Sequence, residues 1–306
     1  MKKFKSFIAL MMVVCIVFTS AEYASAEAKD KLTVITEENN VENFLINKEA
    51  NRDIVIKPKE PELAFMFKNI FATQTPGIGT QVVIGPDSRN MITDTYKYPY
   101  TAIARLTMTY EGVSGVAYGT GFLVGGNVLA TAGHCLIDVD RNGVKHKLTS
   151  LKVEFGYSYS RGTAYLTLNG WDALIYYGDY QTPNPATDYG FVILKQNVAT
   201  TVGQFGIQTS VSNNQSVFIT GYPGDKDSQC RKMYIGEGNV TEVNVDYIKH
   251  NVDTYSGQSG SPVYSMATDG PYATAIHFGG NSYYNYNLAR RLESGLVQWL
   301  FDNNFL

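Results

Sequence analysis

From about Val82 onward, short apolar runs alternate with clusters of turn residues at intervals of roughly ten, in a texture rich in Gly, Tyr, Thr and Val. That rhythm predicts an all-β sandwich or barrel. Gly121-Phe122-Leu123-Val124, the turn Gly125-Gly126-Asn127 and Val128-Leu129-Ala130-Thr131 read as a hairpin, because glycine supplies the positive φ that tight hairpin turns need. The same logic predicts strands at Phe191–Leu194, Ser216–Thr220 and Tyr272–His277. At the end of the chain the period changes. Leu292, Leu296, Trp299 and Leu300 recur at helical spacing and predict an amphipathic C-terminal helix.

The N-terminus reads differently. Lys2, Lys3 and Lys5 precede an apolar stretch from Phe7 to Phe18 and then the small-x-small sequence Ala24-Ser25-Ala26, the layout of a secretory signal peptide over residues 1–26. The apolar stretch is too short to cross about 30 Å of hydrocarbon, so a secreted, extracellular product with no membrane anchor is expected. Cys15 falls inside the signal. Residues 27–81 alternate charges of both signs, hold few aromatics apart from Phe44, Phe65, Phe67 and Phe71, and include the turn-rich Thr75-Pro76-Gly77-Ile78-Gly79. They read as a pro-peptide and linker, leaving 82–306 as one catalytic domain.

Composition narrows the partners. The chain has 306 residues, 44% apolar and 17% charged, ordinary for a protein that buries a core. A formal net charge of -3 offers no basic field for a phosphate backbone, and nucleic acid is excluded as a partner. The lysines and arginines around His146 and in Lys249-His250 read as solvated surface. Beyond the signal only Cys135 and Cys230 remain, so no disulfide framework holds the fold, and whether these two pair is left open.

Peptide hydrolysis at neutral pH needs a nucleophile, a base, a group to orient the base, and donors for the oxyanion. His134 lies in Thr131-Ala132-Gly133-His134-Cys135, directly after a predicted strand, where small neighbours let substrate approach the imidazole. Asp188 opens the apolar run Tyr189–Leu194 and is placed to hold one tautomer of the ring. Ser259 lies in Gly257-Gln258-Ser259-Gly260-Ser261-Pro262-Val263, and a glycine at 257 lets the amides of Gly257 and Ser259 point into one oxyanion pocket. The chain order His, Asp, Ser is that of chymotrypsin rather than of subtilisins or α/β-hydrolases.

Four stretches together, Thr131–Cys135, Asp188–Gly190, Gly221-Tyr222-Pro223-Gly224-Asp225-Lys226 and Asp253–Val263, resemble the bacterial glutamyl endopeptidases of the V8 type. The resemblance runs from Val82-Val83-Ile84-Gly85-Pro86-Asp87-Ser88-Arg89, which looks like the family's mature start, to the C-terminal helix. It implies two six-stranded antiparallel β-barrels with the active site in the cleft between them. It also implies cleavage after Glu, and after Asp less readily, with His277 and Thr254 lining the pocket and the amine of Val82 adding positive charge. A buried substrate carboxylate needs such donors. An amine reaches that pocket only once the pro-peptide is gone, so the precursor is expected to be a zymogen. Gln81 precedes the proposed cut, and a separate protease is the expected activator. Two departures stand out. The family's usual partner for a cysteine after the histidine is replaced by Gly119, and a tryptophan expected after the Gly-Tyr-Pro-Gly-Asp-Lys stretch is replaced around Lys232.

Peptides and proteins are thus the expected partners of a monomer that needs no cofactor. His134 and Cys135 have no further Cys or His at metal-ligand spacing, while calcium on surface carboxylates would leave no motif. Two rivals remain at this level: a chymotrypsin-type protease of other or very narrow specificity, as in some toxins, and a non-catalytic binding module on the same fold.

Overall fold

The computed structural model describes residues 29–36, 41–47, 53–61, 83–140, 142–178, 180, 184–281 and 285–306. The expected signal segment, Val82 and the stretch Thr75–Gly79 lie outside them.

Two sheets, antiparallel but for the parallel pairing of Gly206–Gln208 with Gly270–Asn281, build the molecule, and each predicted strand is found in one of them. The N-terminal sheet runs in the order Leu166–Asn169, Lys145–Phe155, Ile103–Tyr110, Ala117–Gly125, Val128–Thr131, Gly190–Ile193, Ala173–Tyr177, and curls into a half-barrel. The predicted hairpin is Ala117–Gly125 with Val128–Thr131, carrying a bulge between Leu123 and Gly125. In the C-terminal sheet six strands close on themselves: Ser216–Gly221, Tyr234–Val243, Tyr247–His250, Tyr286–Arg291, Gly270–Asn281 and Pro262–Ala267, with the last returning to the first. Closure removes the sheet edges. Apolar side chains alternate into each interior and, between the sheets, form a shared cluster that includes Phe122, Phe191, Phe205, Tyr222, Tyr264 and Ile276.

The C-terminal helix spans Ser294–Asp302. Leu296, Trp299 and Leu300 press into the shared cluster along with Leu292, which precedes the helix. No helix among the described residues is long and apolar enough to cross a membrane.

The segment read as pro-peptide and linker is, where described, part of both sheets. Lys29–Thr36 adds a strand to the edge of Ala173–Tyr177, and Val41–Asn47 pairs with it in turn. Val55–Ile56 pairs with Gly206–Gln208 of the C-terminal sheet. Its charges at Lys29, Asp30 and Lys31 obscured the run that follows, in which Leu32, Thr33 and Val34 are all buried.

Candidate active site

Strand register brings the first two groups together. Gly190 lies opposite Thr131 in the pairing of Gly190–Ile193 with Val128–Thr131. Continuing that antiparallel register by two residues sets Asp188 against Gly133, beside His134, from which it is 54 residues distant in the chain. A Cβ on Gly133 would stand 3.0 Å from the Tyr189 carbonyl and 3.3 Å from Asp188 Oδ1, so glycine is needed for the approach. His134 then sits on the single turn Gly133–Cys135, which leaves the strand end. Asp188 is fully buried and accepts from the His134 amide (3.0 Å), and its oxygens lie 2.9 and 3.1 Å from His134 Nδ1. That contact orients the ring with Nδ1 as donor and leaves Nε2 as the basic nitrogen. The His134 side chain is 29% exposed. Burial of the ring opposes its charged form, yet the Asp188 carboxylate outweighs this and holds the imidazole well above its usual range.

Ser259 lies on a turn clamped from both sheets. From the N-terminal sheet, the Thr120 amide donates to the Ser259 carbonyl and its hydroxyl to the Gly257 carbonyl, both at 2.8 Å. From the C-terminal sheet, the Gly260 amide donates to the His277 carbonyl (2.7 Å) and the His277 amide to that of Ser261 (2.9 Å). Any side chain at 260 would overlap the Thr120 carbonyl and the Thr131 hydroxyl, and the residue sits at φ +89°. Gly257 has φ +96°, and a Cβ there would meet the Tyr222 carbonyl at 2.5 Å. Among the described residues the amides of Gly257 and Ser259 donate to no protein acceptor, whereas those of Gln258, Gly260 and Ser261 do. Two free donors flanking one residue are what an oxyanion needs.

Ser259 Oγ makes no hydrogen bond to His134. The serine is nonetheless in the histidine's immediate surroundings, since its carbonyl lies 3.9 Å from Sγ of Cys135, the next residue after His134. Contacts of this kind are commonly long without substrate and tighten when it binds.

Behind the turn stands a pair of histidines. His277 is buried, and its ring packs edge-on against His250 with centroids 5.4 Å apart. Among the described residues neither ring nitrogen of His250 has a hydrogen-bond partner. Burial, aided by the neighbouring His277, keeps His250 well below the usual imidazole value; burial, with a smaller push from His134, brings His277 down to about 3. Both rings are therefore neutral near pH 7. The expectation that Lys249-His250 is solvated holds for Lys249, which reaches Glu242 at 2.6 Å, and fails for His250. Side chains alternate along the strand Tyr247–His250, so adjacent residues face opposite sides. Thr254 is buried.

The residues that follow Val82 fasten onto the same turn. Asp253 Oδ1 accepts from the Ile84 amide (2.7 Å), and its Oδ2 from the Ser88 amide (2.8 Å) and hydroxyl (2.6 Å). Arg89, buried, binds Asp87 (2.9 Å), Asp225 (2.5 Å) and Gln258 Oε1 (3.2 Å), and Lys226 adds a contact to Asp87 at 2.6 Å. Gln258 Oε1 also accepts from the Tyr255 amide (3.0 Å), which links this ion cluster to the turn between the two free amides. Thr120, Arg89, Gln258 and His250 were not singled out from the sequence. For Thr120 the flanking Gly119 and Gly121 were an available signal, while the other three had none.

Cys135 and Cys230 are both free. They approach the turn at different points: a Cβ on Gly257 would stand 2.7 Å from Cys230 Sγ, and one on Gly119 would stand 3.0 Å from Cys135 Sγ. A surface hollow of about 720 Å³ lined by Glu111, Leu148, Asn169 and Trp171, among others, includes none of these groups.

Residues 119–270 match the trypsin-like peptidase domain. A glutamyl endopeptidase of Bacillus licheniformis is 32% identical over 236 residues, covering 72% of this chain and 67% of its own. A Bacillus subtilis protein named extracellular metalloprotease is 33% identical over 218 residues, covering 69% of this chain and 66% of its own. The chain thus spans about two thirds of the length of these two relatives. Despite the second name, no group of three or more His, Cys, Asp or Glu converges as a metal site among the described residues. A solved structure of a Glu endopeptidase superposes with a TM-score of 0.59 at 23% identity, covering 73% of this chain and all of its own, a likeness of fold.

Proposed function

We propose, on the premise that this chain belongs to the glutamyl endopeptidase family of chymotrypsin-like serine endopeptidases, that it is secreted as a zymogen and cuts peptide bonds after Glu, less readily after Asp. The working groups in this reading are His134, Asp188 and Ser259, with the amides of Gly257 and Ser259 as oxyanion donors and His277, Thr254 and the Val82 amine around the substrate's acidic side chain.

The chemistry follows from the geometry. Neutral His134 takes the Ser259 proton at Nε2 as Oγ attacks the scissile carbonyl, while the two unpaired amides meet the oxyanion. Asp188 stabilises the imidazolium through Nδ1. His134 then gives its proton to the leaving amine, and water repeats the sequence to release the acyl group. The buried Asp188–His134 pair set against a turn with two free amides is the observation that carries the serine mechanism.

For acidic specificity the support is His277, whose backbone bonds to Gly260 and Ser261, the two residues after Ser259, tie it to the turn. The ring is neutral near pH 7. An arriving carboxylate favours its charged form, so binding is coupled to proton uptake. A peptide panel differing only in the residue before the cut is the test. Glu is expected to lead, with KM for the Glu peptide lower at pH 6 than at pH 8 and KM for the Gln isostere flat. Preference for Phe or Arg would end the acidic reading and favour the rival specificity, and failure of a fluorophosphonate to label Ser259 would end the catalytic one. For maturation, a precursor bearing Ser259→Ala is expected to stay uncut at Val82 unless another protease is supplied.

A further inference from the structure

The described N-terminal residues touch both sheets and make none of their backbone pairings or hydrogen bonds with His134, Asp188, His277 or the Ser259 turn. Lys29–Thr36 runs antiparallel along Ala173–Tyr177, from Leu32 opposite Tyr177 to Thr36 opposite Ala173. That strand pairs with Gly190–Ile193 on its other side, so without residues 29–36 it would be an open sheet edge. Leu32, fully buried, and Val34 enter the apolar cluster shared by the two sheets.

Further along, residues 54–59 lie in a groove of the C-terminal sheet. Thr209 donates its amide to the Ile54 carbonyl (3.0 Å), and its hydroxyl accepts from the Ile54 amide (2.8 Å). Lys59 and Gln204 exchange both backbone hydrogen bonds, at 3.1 and 2.7 Å. The groove floor is glycine. A Cβ on Gly206 would stand 2.5 Å from the Ile56 carbonyl and 2.8 Å from Pro58, and one on Gly270 would stand 2.8 Å from Pro58. All three atoms nearest to that Gly206 position belong to residues 56 and 58. The catalytic domain therefore carries a surface shaped to the backbone of this segment.

We propose that the segments 29–36, 41–47 and 53–59 act as a clip that stays bound, without a covalent link, after the chain is cut between 62 and 82, so that the mature enzyme is a two-chain complex. The surface is the Ala173–Tyr177 edge together with the glycine-floored groove of residues 203–209 and 270, and its occupant is the chain's own leader in extended form. Strand addition supplies main-chain hydrogen bonds, and Leu32 and Val34 supply the specificity of alternate side-chain pockets. Loss of the clip would bare a sheet edge and open a hole in the shared core. This rests on the proposed maturation only for its biological timing.

The test imposes the cut. A full-length chain carrying Ser259→Ala, with a recognition site for a narrow-specificity protease placed within residues 70–78, is cleaved and passed over a sizing column at micromolar concentration. Mass spectrometry is expected to find both fragments in one peak at equal amounts. Gly206→Ala, at an ordinary φ, removes the groove's clearance for Ile56 and Pro58 and leaves the domain's own contacts alone; a drop of at least tenfold in fragment affinity is expected. Leu32→Asp, which leaves the catalytic fragment unaltered, is expected to do the same. Separate elution of the unmutated fragments, or equal retention in both variants, would overturn the proposal. N-terminal sequencing of the secreted protein tests the natural cut independently.

Discussion

Gly119→Cys is expected to form a disulfide with Cys135 and to raise stability by about 3 kcal/mol. A Cβ at 119 stands 3.0 Å from Cys135 Sγ, the spacing that one C–S bond and one S–S bond of about 2.04 Å produce. Gly119 lies in the strand Ala117–Gly125 at an ordinary φ, so an L side chain costs no backbone strain. Cross-linking 119 to 135 closes a short loop, and the loss of unfolded-state entropy for such a loop is about 3 kcal/mol. Opposing it is the Met108 methyl, 3.2 Å from the new Cβ, which is the far end of a flexible side chain and can turn away. The Ser259 carbonyl, at 3.5 Å, is an ordinary contact, so activity should stay within about twofold of the unmutated enzyme. For a domain of this size the gain corresponds to a rise in Tm of roughly 6–12 °C. Calorimetry of the oxidised variant with and without reductant, alongside peptide mapping of the cross-link, reads the effect directly. A cross-link that forms but leaves Tm unchanged would refute the entropic estimate; failure of the two sulfurs to pair under mild oxidation would refute the placement of Cys135 against strand 117–125.

Three further outcomes are expected. Gly257→Ala forces the turn away from the Tyr222 carbonyl and Cys230 and so withdraws an oxyanion donor; kcat should fall about 10²–10³-fold with KM little changed in steady-state assays. Because Asp188 raises the imidazole, His134 is in its basic form only above a midpoint higher than the usual 6.5, and activity is lost as pH falls through it. Asp188→Asn should lower kcat by about 10⁴ and move that acid limb down, as a pH–rate profile would reveal. Arg89→Met leaves the buried Asp87 with Lys226 alone and strips the guanidinium from Asp225, costing about 3–5 kcal/mol in denaturant unfolding. Asp87 is held well below its usual range in the intact cluster, so the stability it contributes is present above the unfolded carboxylate pKa and is lost in acid. In Arg89→Met the acid-unfolding midpoint should accordingly move to higher pH.

The chemical parts were legible from local chain chemistry. Small residues around His134, a glycine before Ser259 and a carboxylate opening an apolar strand each report a backbone that must pass close to something, and φ values near +90° at 257 and 260 bear out the glycine requirement. Strands with clear apolar alternation were equally readable. Lys145–Phe155 was not singled out, because its outward half is exposed and polar, and neither was Lys29–Thr36, whose charges precede the buried Leu32, Thr33 and Val34.

What the chain order alone determined was therefore the class of fold and which side chains to propose for the chemistry, since both are read from residue type and short-range spacing. Only the tertiary structure decided which remote groups hold them in place. Thr120 crossing from one sheet to the other's turn, Arg89 reaching Gln258, His250 packed edge-on against His277, and Ile56 and Pro58 seated over Gly206 are all contacts between residues far apart in sequence. Pairings of that kind depend on sheet register and closure, which accumulate over the whole chain and leave no trace in any one segment.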